Sequence, residues 1–231
     1  MGEYVEIVIA LVLSIFFVTV FKPVLKRAPV VLYLIALIVC LIFLSDVLLK
    51  YYLRIGLMFY PYLQRGLFAF SLFVVVMFIG VLPDSSRIKK FYSPIRGEVS
   101  IVASILILGH IINYLQAFLI RIFSGFVGMS LTMSLSFILS AVLLILLVPL
   151  TITSFRFVRK RMSTNLWKSL QEWAYVFFGV IYLHLMLILA PAMGISNKAT
   201  TSGVVYTVIF ASYLILRLRK SSLDKKTRRS T

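Results

Sequence analysis

The chain is predicted to be an all-α, polytopic transmembrane helix bundle of about seven helices, and three observations carry that expectation. Of its 231 residues, 61% are hydrophobic and only 13% are charged, against about 45–50% and about 25% in soluble domains. Apolar runs long enough to cross roughly 30 Å of hydrocarbon recur down the chain. Runs such as Val30–Leu44 are uninterrupted, whereas the strands of a membrane barrel alternate apolar and polar residues.

The elements follow in order. Spans are expected at 4–21, 29–49, 66–82, 99–120, 129–153, 171–190 and 203–216. The first is a retained anchor, because it lacks both a basic leading segment and a small-residue cleavage site. The organisation is thus an anchor helix with a basic loop over 1–28, a six-helix membrane unit over 29–216, and a basic tail over 217–231. The net charge of +17 does not indicate nucleic acid, because the cations lie at helix ends and not along one face. Sorted by alternate loops, one side holds Lys22, Lys26, Arg27, Arg87, Lys89, Lys90, Arg96, Arg156, Arg159, Lys160, Arg161, Lys168 and the seven cations of the tail. The other holds Lys50, Arg54, Arg65, Arg121 and Lys198. The positive-inside rule makes the first side cytoplasmic. The protein is expected in the cytoplasmic (inner) membrane, with its N-terminus, bearing Glu3 and Glu6, outside and its tail inside. That tail is expected to be disordered and to lie against anionic headgroups.

Several features have plain structural explanations. Cys40 is the only cysteine and falls mid-span, so it excludes an internal disulfide and acts as a small apolar filler. Asp46 lies four residues before Lys50, the spacing of a local ion pair. Glu98 and Glu172 fall at the expected first turns of spans four and six, where the helix dipole favours a carboxylate. Ser130, Thr132, Ser134, Ser136 and Ser140 form a stripe that suits helix packing in a membrane.

The two histidines remain, since ionisable groups kept inside a membrane point to function. His110 lies about 18 Å along span four from Glu98, and His184 about 20 Å along span six from Gln171, at 1.5 Å per residue. Both helices start on the same side, so the imidazoles reach nearly equal depth in the outer half of the bilayer. Two such rings can ligate one haem iron from opposite faces; equally, each can serve as a hydrogen-bonding group within the bundle. Gly109 and Gly179 are expected to let a flat macrocycle approach, with Tyr114, Trp173, Tyr175, Phe177, Phe178 and Tyr182 as aromatic walls.

The segment from Trp167 through Leu170, Gln171, Ala174 and Tyr175 to His184 resembles a signature of ferric-reductase-like transmembrane proteins, nearest to the haem-binding membrane subunit of the periplasmic methionine-sulfoxide-reducing system. Pro149, Leu150, Thr153 and Ser154 resemble the family's PLxxTS motif, and Arg96-Gly97 resembles the pair that opens its first histidine helix. The resemblance covers roughly 96–190. It implies a six-helix core, here spans two to seven, with ligands on the third and fifth helices, which carry His110 and His184. Gln171 stands where the family has a further histidine, and span four has no second one. The resemblance therefore implies one bis-histidine haem b with His110 and His184 as iron ligands, and no two-haem wire. It also implies FMN near the cytoplasmic arginines, where Arg96 is the matching position.

The expected function is a membrane cytochrome b-like electron-transfer subunit. Electrons would come from a cytosolic flavin reductase docked on Arg87, Lys89, Lys90 and Arg156–Arg161, or from a quinol in the bilayer. The acceptor would be an extracytoplasmic reductase or ferric ions. A haem-free scaffold or assembly protein that keeps the fold, and a small-solute transporter, are the alternatives. A transporter would show broken helices and a midplane polar site.

Overall fold

Pro29 shows how the sequence punctuates this chain. It forces Ala28 out of helical geometry and then opens a helix at the position where its missing N–H costs nothing. The computed structural model describes residues 3–229, without the side chains of 3–4, 48 and 225–229, and all regular structure among the described residues is helical. In order the helices are α1 (Glu3–Val20), α2 (Lys22–Arg27), α3 (Pro29–Leu44), α4 (Val47–Tyr51), α5 (Leu53–Gln64), α6 (Leu67–Val81), α7 (Arg87–Tyr92), α8 (Arg96–Phe123), α9 (Leu131–Ile152), α10 (Arg156–Arg161), α11 (Thr164–Leu189) and α12 (Asn197–Arg229). Side-chain caps mark two starts: Ser130 accepts the Met133 N–H and Ser163 the Leu166 N–H, both at 3.3 Å.

Four of these, α8, α9, α11 and α12, are long and apolar enough to cross a membrane, and the count becomes five only when the bent pair α5–α6 is taken as one span. Helices α1 and α3 are apolar but shorter, so seven full spans do not follow. The predicted span 29–49 is broken instead. Helix α3 stops at Ser45, and Asp46 sits at φ 54°, a left-handed conformation uncommon outside glycine. The expected Asp46–Lys50 ion pair is absent among the described residues; the Lys50 ammonium lies over the Tyr51 ring at 5.4 Å. The predicted span 66–82 begins with a bend of 48° at Gly66, whose φ is 67°.

Two further expectations are corrected. Helix α12 continues through the basic tail to Arg229, because Lys220 anchors it to the Gly80 carbonyl and to Asp84; positions 230–231 lie outside the described residues. Glu172 is eight residues inside α11 and not in its first turn, because that helix begins at Thr164.

Helix α6 is the centre of the bundle and is buried on nearly every side. One face packs with α3 and α8 through Leu72, Phe73, Val76, Ala36, Cys40, Val99, Val102 and Leu106. Its other face meets α1, α11 and α12 through Phe70, Val74, Met77, Ile7, Phe178, Tyr206 and Phe210. Outward, α3 and α9 present large apolar side chains such as Leu34, Ile38, Leu41 and Ile145. Apolar side chains that face away from the core over this many helices match lipid.

The basic segments gather at one end. Arg156 reaches the Leu25 and Lys26 carbonyls, Lys22 sits over the Phe91 ring at 3.0 Å, and Lys220 meets Asp84. The opposite end holds the Glu6–Arg65 ion pair at 2.9 Å.

Candidate functional site

The basic end contains a cavity of about 230 Å³ between α6, α8, α9 and α11. All three motif segments quoted above line it: Arg96 and Gly97 on α8, Leu150, Thr151 and Ser154 at the end of α9, and Trp167 and Gln171 on α11. Their interlock is local chemistry. Trp167 Nε1 donates to the Thr153 carbonyl at 3.0 Å, and Gln171 Nε2 donates to Thr153 Oγ1 at 2.9 Å. Ser100 bonds Ser154, and Thr151 bonds Ser104. At Gly97 a Cβ would come within 3.3 Å of the Ser154 carbonyl, so the glycine permits the close approach of α8 and α9. Sequence reasoning found these motifs separately and did not place them around one space.

Arg96 lies against Gly80, whose Cβ position would be 3.1 Å from the guanidinium. Among the described residues it makes no hydrogen bond or ion pair. A partly buried cation without a counter-ion is suited to an anionic ligand. Arg159 instead stacks over Trp167, its guanidinium carbon 4.2 Å from the ring.

Beside the cavity, Glu98 does more than meet the dipole of its helix. Buried at 4% exposure, its carboxylate accepts from Arg156 Nε and from the Tyr33 hydroxyl. This ties α3, α8 and α10 together and removes Arg156 from the set of free surface cations.

The cavity puts Gly97 and Gln171 at one level. Each histidine then lies 13 residues further along its helix, about 20 Å toward the other end. Counted along their helices, His110 and His184 thus stand the same number of residues from this end. Their partners differ. His110 Nδ1 is 2.6 Å from the carbonyl of Gln64, the last residue of α5. His184 Nδ1 is 3.1 Å from the Ser136 carbonyl and 3.0 Å from its hydroxyl, with Ser140 Oγ at 3.4 Å. A carbonyl only accepts, so Nδ1 of His110 carries the proton and Nε2 has a free lone pair; the same tautomer satisfies Ser136 O at His184.

The expected macrocycle walls are mostly elsewhere. Gly109 faces α3, where a Cβ would meet Phe43 at 3.3 Å and Cys40 Sγ at 3.6 Å; its role is helix packing. Gly179 and Trp173 are exposed on the outward side of α11. Phe178 and Tyr182 pack on Phe210, and Phe177 on Phe73. Tyr114 does adjoin His110, with ring centres 5.1 Å apart. Among the described residues no group of three or more His, Cys, Asp or Glu side chains is placed to hold a metal. Within the serine stripe, Ser130 caps α9, Thr132 and Ser134 bond back to Ser130, and Ser136 and Ser140 contact His184.

Comparison with known proteins adds one relative. The chain is 37% identical over 165 residues to a protein of Treponema pallidum (strain Nichols) described as uncharacterized, a match covering 71% of this chain and 46% of that protein. The chain thus spans about half the length of the curated relative it matches. No family model and no solved structure matches.

Proposed function

We propose that this chain is a ferric-reductase-like membrane electron-transfer protein that holds one haem b between His110 and His184. The observation that carries the reading is the hydrogen bonding of the two imidazoles: Nδ1 is engaged by a main-chain carbonyl on each ring, which leaves Nε2 as the ligand nitrogen. That outer hydrogen bond is the usual device for fixing the tautomer and orientation of a metal-bound histidine. When bound, the group would supply one-electron exchange. Gln64 and Ser136 hold the two rings, and Tyr114 walls the His110 side. Gln171 is engaged with Thr153 and is not an iron ligand in this reading.

The basic end is the cytoplasmic one in this proposal, in the cytoplasmic (inner) membrane, with the N-terminus outside. Lys22, Arg87, Lys90, Lys160 and Arg161 would receive an acidic cytosolic flavin reductase; a quinol in the bilayer is the other donor. The acceptor is an extracytoplasmic reductase or ferric ions. Arg96 suits the phosphate of a flavin. The cavity of about 230 Å³ is smaller than the roughly 300–1,000 Å³ of sites that enclose such a molecule, so no step is routed through flavin.

The test is a reduced-minus-oxidised difference spectrum with pyridine-haemochrome quantification on detergent-purified protein. Close to one b-type haem per chain is expected. No haem after expression with ample haem supply would transfer the assignment to a haem-free membrane scaffold. A second reading, small-solute transport, draws support from the breaks at Asp46 and Gly66, since discontinuous helices accompany transport sites. The same spectrum separates the two.

A further inference from the structure

Apart from the Gln64 carbonyl at its end, helix α5 has no part in the electron-transfer reading, and its surface is unusual. Leu53, Ile55, Leu57, Met58 and Phe59 are 48–67% exposed, and Gly56 is the buried residue of this half. Tyr51, Tyr52, Tyr60 and Tyr62 surround it, and Lys50, Arg54 and Arg65 bracket it; these are three of the five cations that the sequence places on this side of the bundle. Tyrosines and cations flanking an apolar surface mark a membrane–water boundary.

Length decides how such a helix sits. Helix α6 has 15 residues, about 22 Å, which leaves some 8 Å of a 30 Å hydrocarbon layer uncovered. Helix α5 has 12 residues, about 18 Å, and its 48° bend from α6 gives it about 12 Å of advance along the α6 axis. With α6 along the bilayer normal, Tyr60–Gln64 fall within hydrocarbon and Leu53–Arg54 among the headgroups.

We infer that α5 is an interfacial helix whose exposed apolar face is occupied by the outer-leaflet lipid surface, continuous with the lipid-facing sides of the adjacent spans. Its cations meet headgroup phosphates, and its last residue, Gln64, carries the carbonyl that holds His110. Lipid contact at α5 and the orientation of that ring are therefore mechanically joined through the Gly66 turn. The inference stands whether or not haem is bound.

Nitroxide accessibility tests it. Labels are placed at Met58→Cys, and separately at Leu57→Cys and Leu53→Cys, in a Cys40→Ala background. Each full-length protein is reconstituted in phosphatidylethanolamine–phosphatidylglycerol vesicles. Leu57 and Met58 are both largely exposed, so if one variant fails to fold the other supplies the measurement. Collisions with oxygen should exceed those with a water-soluble nickel chelate at positions 57 and 58, and the ratio should fall toward Leu53. Nickel dominating at 57 and 58 would place the face in water and overturn the inference. Low collision rates with both reagents, together with dipolar broadening between labels, would show a second copy on this face and overturn it equally. Haem content, measured on the same samples, does not enter this readout.

Discussion

Arg156→Ala should destabilise the protein through the charge it leaves behind. The Glu98 carboxylate has a side-chain exposure of 5%, while Arg156 has 49%. Removing one partner of a fully buried ion pair costs about 3–5 kcal/mol. Here half of the guanidinium is in solvent, where pairing is screened, so the lower figure must be reduced further, to about 2 kcal/mol. The two bonds from Arg156 to the Leu25 and Lys26 carbonyls disappear as well, and their loosened carbonyls can turn to water. At roughly 2–4 °C per kcal/mol for a chain of this length, the apparent Tm in detergent micelles should fall by about 4–8 °C. Glu98→Gln keeps an acceptor for Arg156 and should cost about 1 kcal/mol. The double variant should melt above Arg156→Ala alone, because no unpaired carboxylate remains. The reasoning is refuted if Arg156→Ala melts with the parent, or if the double variant is worse by the full sum of the single effects.

Replacing His110 or His184 with alanine should abolish haem retention, whereas Gln171→Ala should leave the absorption spectrum unchanged; retention in both histidine variants would remove the ligand assignment. Gly66→Ala should lower the apparent Tm, because φ is 67° and the new Cβ would lie 2.6 Å from Ile107 Cδ1, a left-handed strain of about 1–2 kcal/mol before the clash is counted. Trimming Ile107 to valine in that background should recover only the clash, visible as a partial return in Tm. At Asp84, the Lys89 hydrogen bond foremost, with Lys220 beside it, holds the carboxyl below the usual carboxylate range. Its folded pKa is depressed, so the stabilisation is present above the unfolded value near 3.8 and disappears as pH falls through the lowered one. Asp84→Asn should flatten the decline in Tm below about pH 4, and high salt should shrink the difference between the two proteins.

The class of this protein was legible because hydropathy is a local, additive property: a run such as Val30–Leu44 is apolar whatever it packs against. Position along a helix follows from equally local reasoning. A rise of 1.5 Å per residue puts His110 and His184 equally far along their helices from Gly97 and Gln171. The gathering of cations at helix ends likewise needed only order along the chain. Rotation about each helix axis was not legible. In lipid both the inner and outer faces of a span are apolar, so periodicity does not distinguish them. That is why Gly109 was expected beside a macrocycle and instead packs on Cys40 and Phe43, and why Trp173 faces outward. Only the tertiary structure joined Glu98 to Arg156 across 58 residues. It alone closed Arg96, Ser154, Trp167 and Gln171 around one space, and broke two apolar runs at Asp46 and Gly66, where a backbone torsion and not composition decided the outcome.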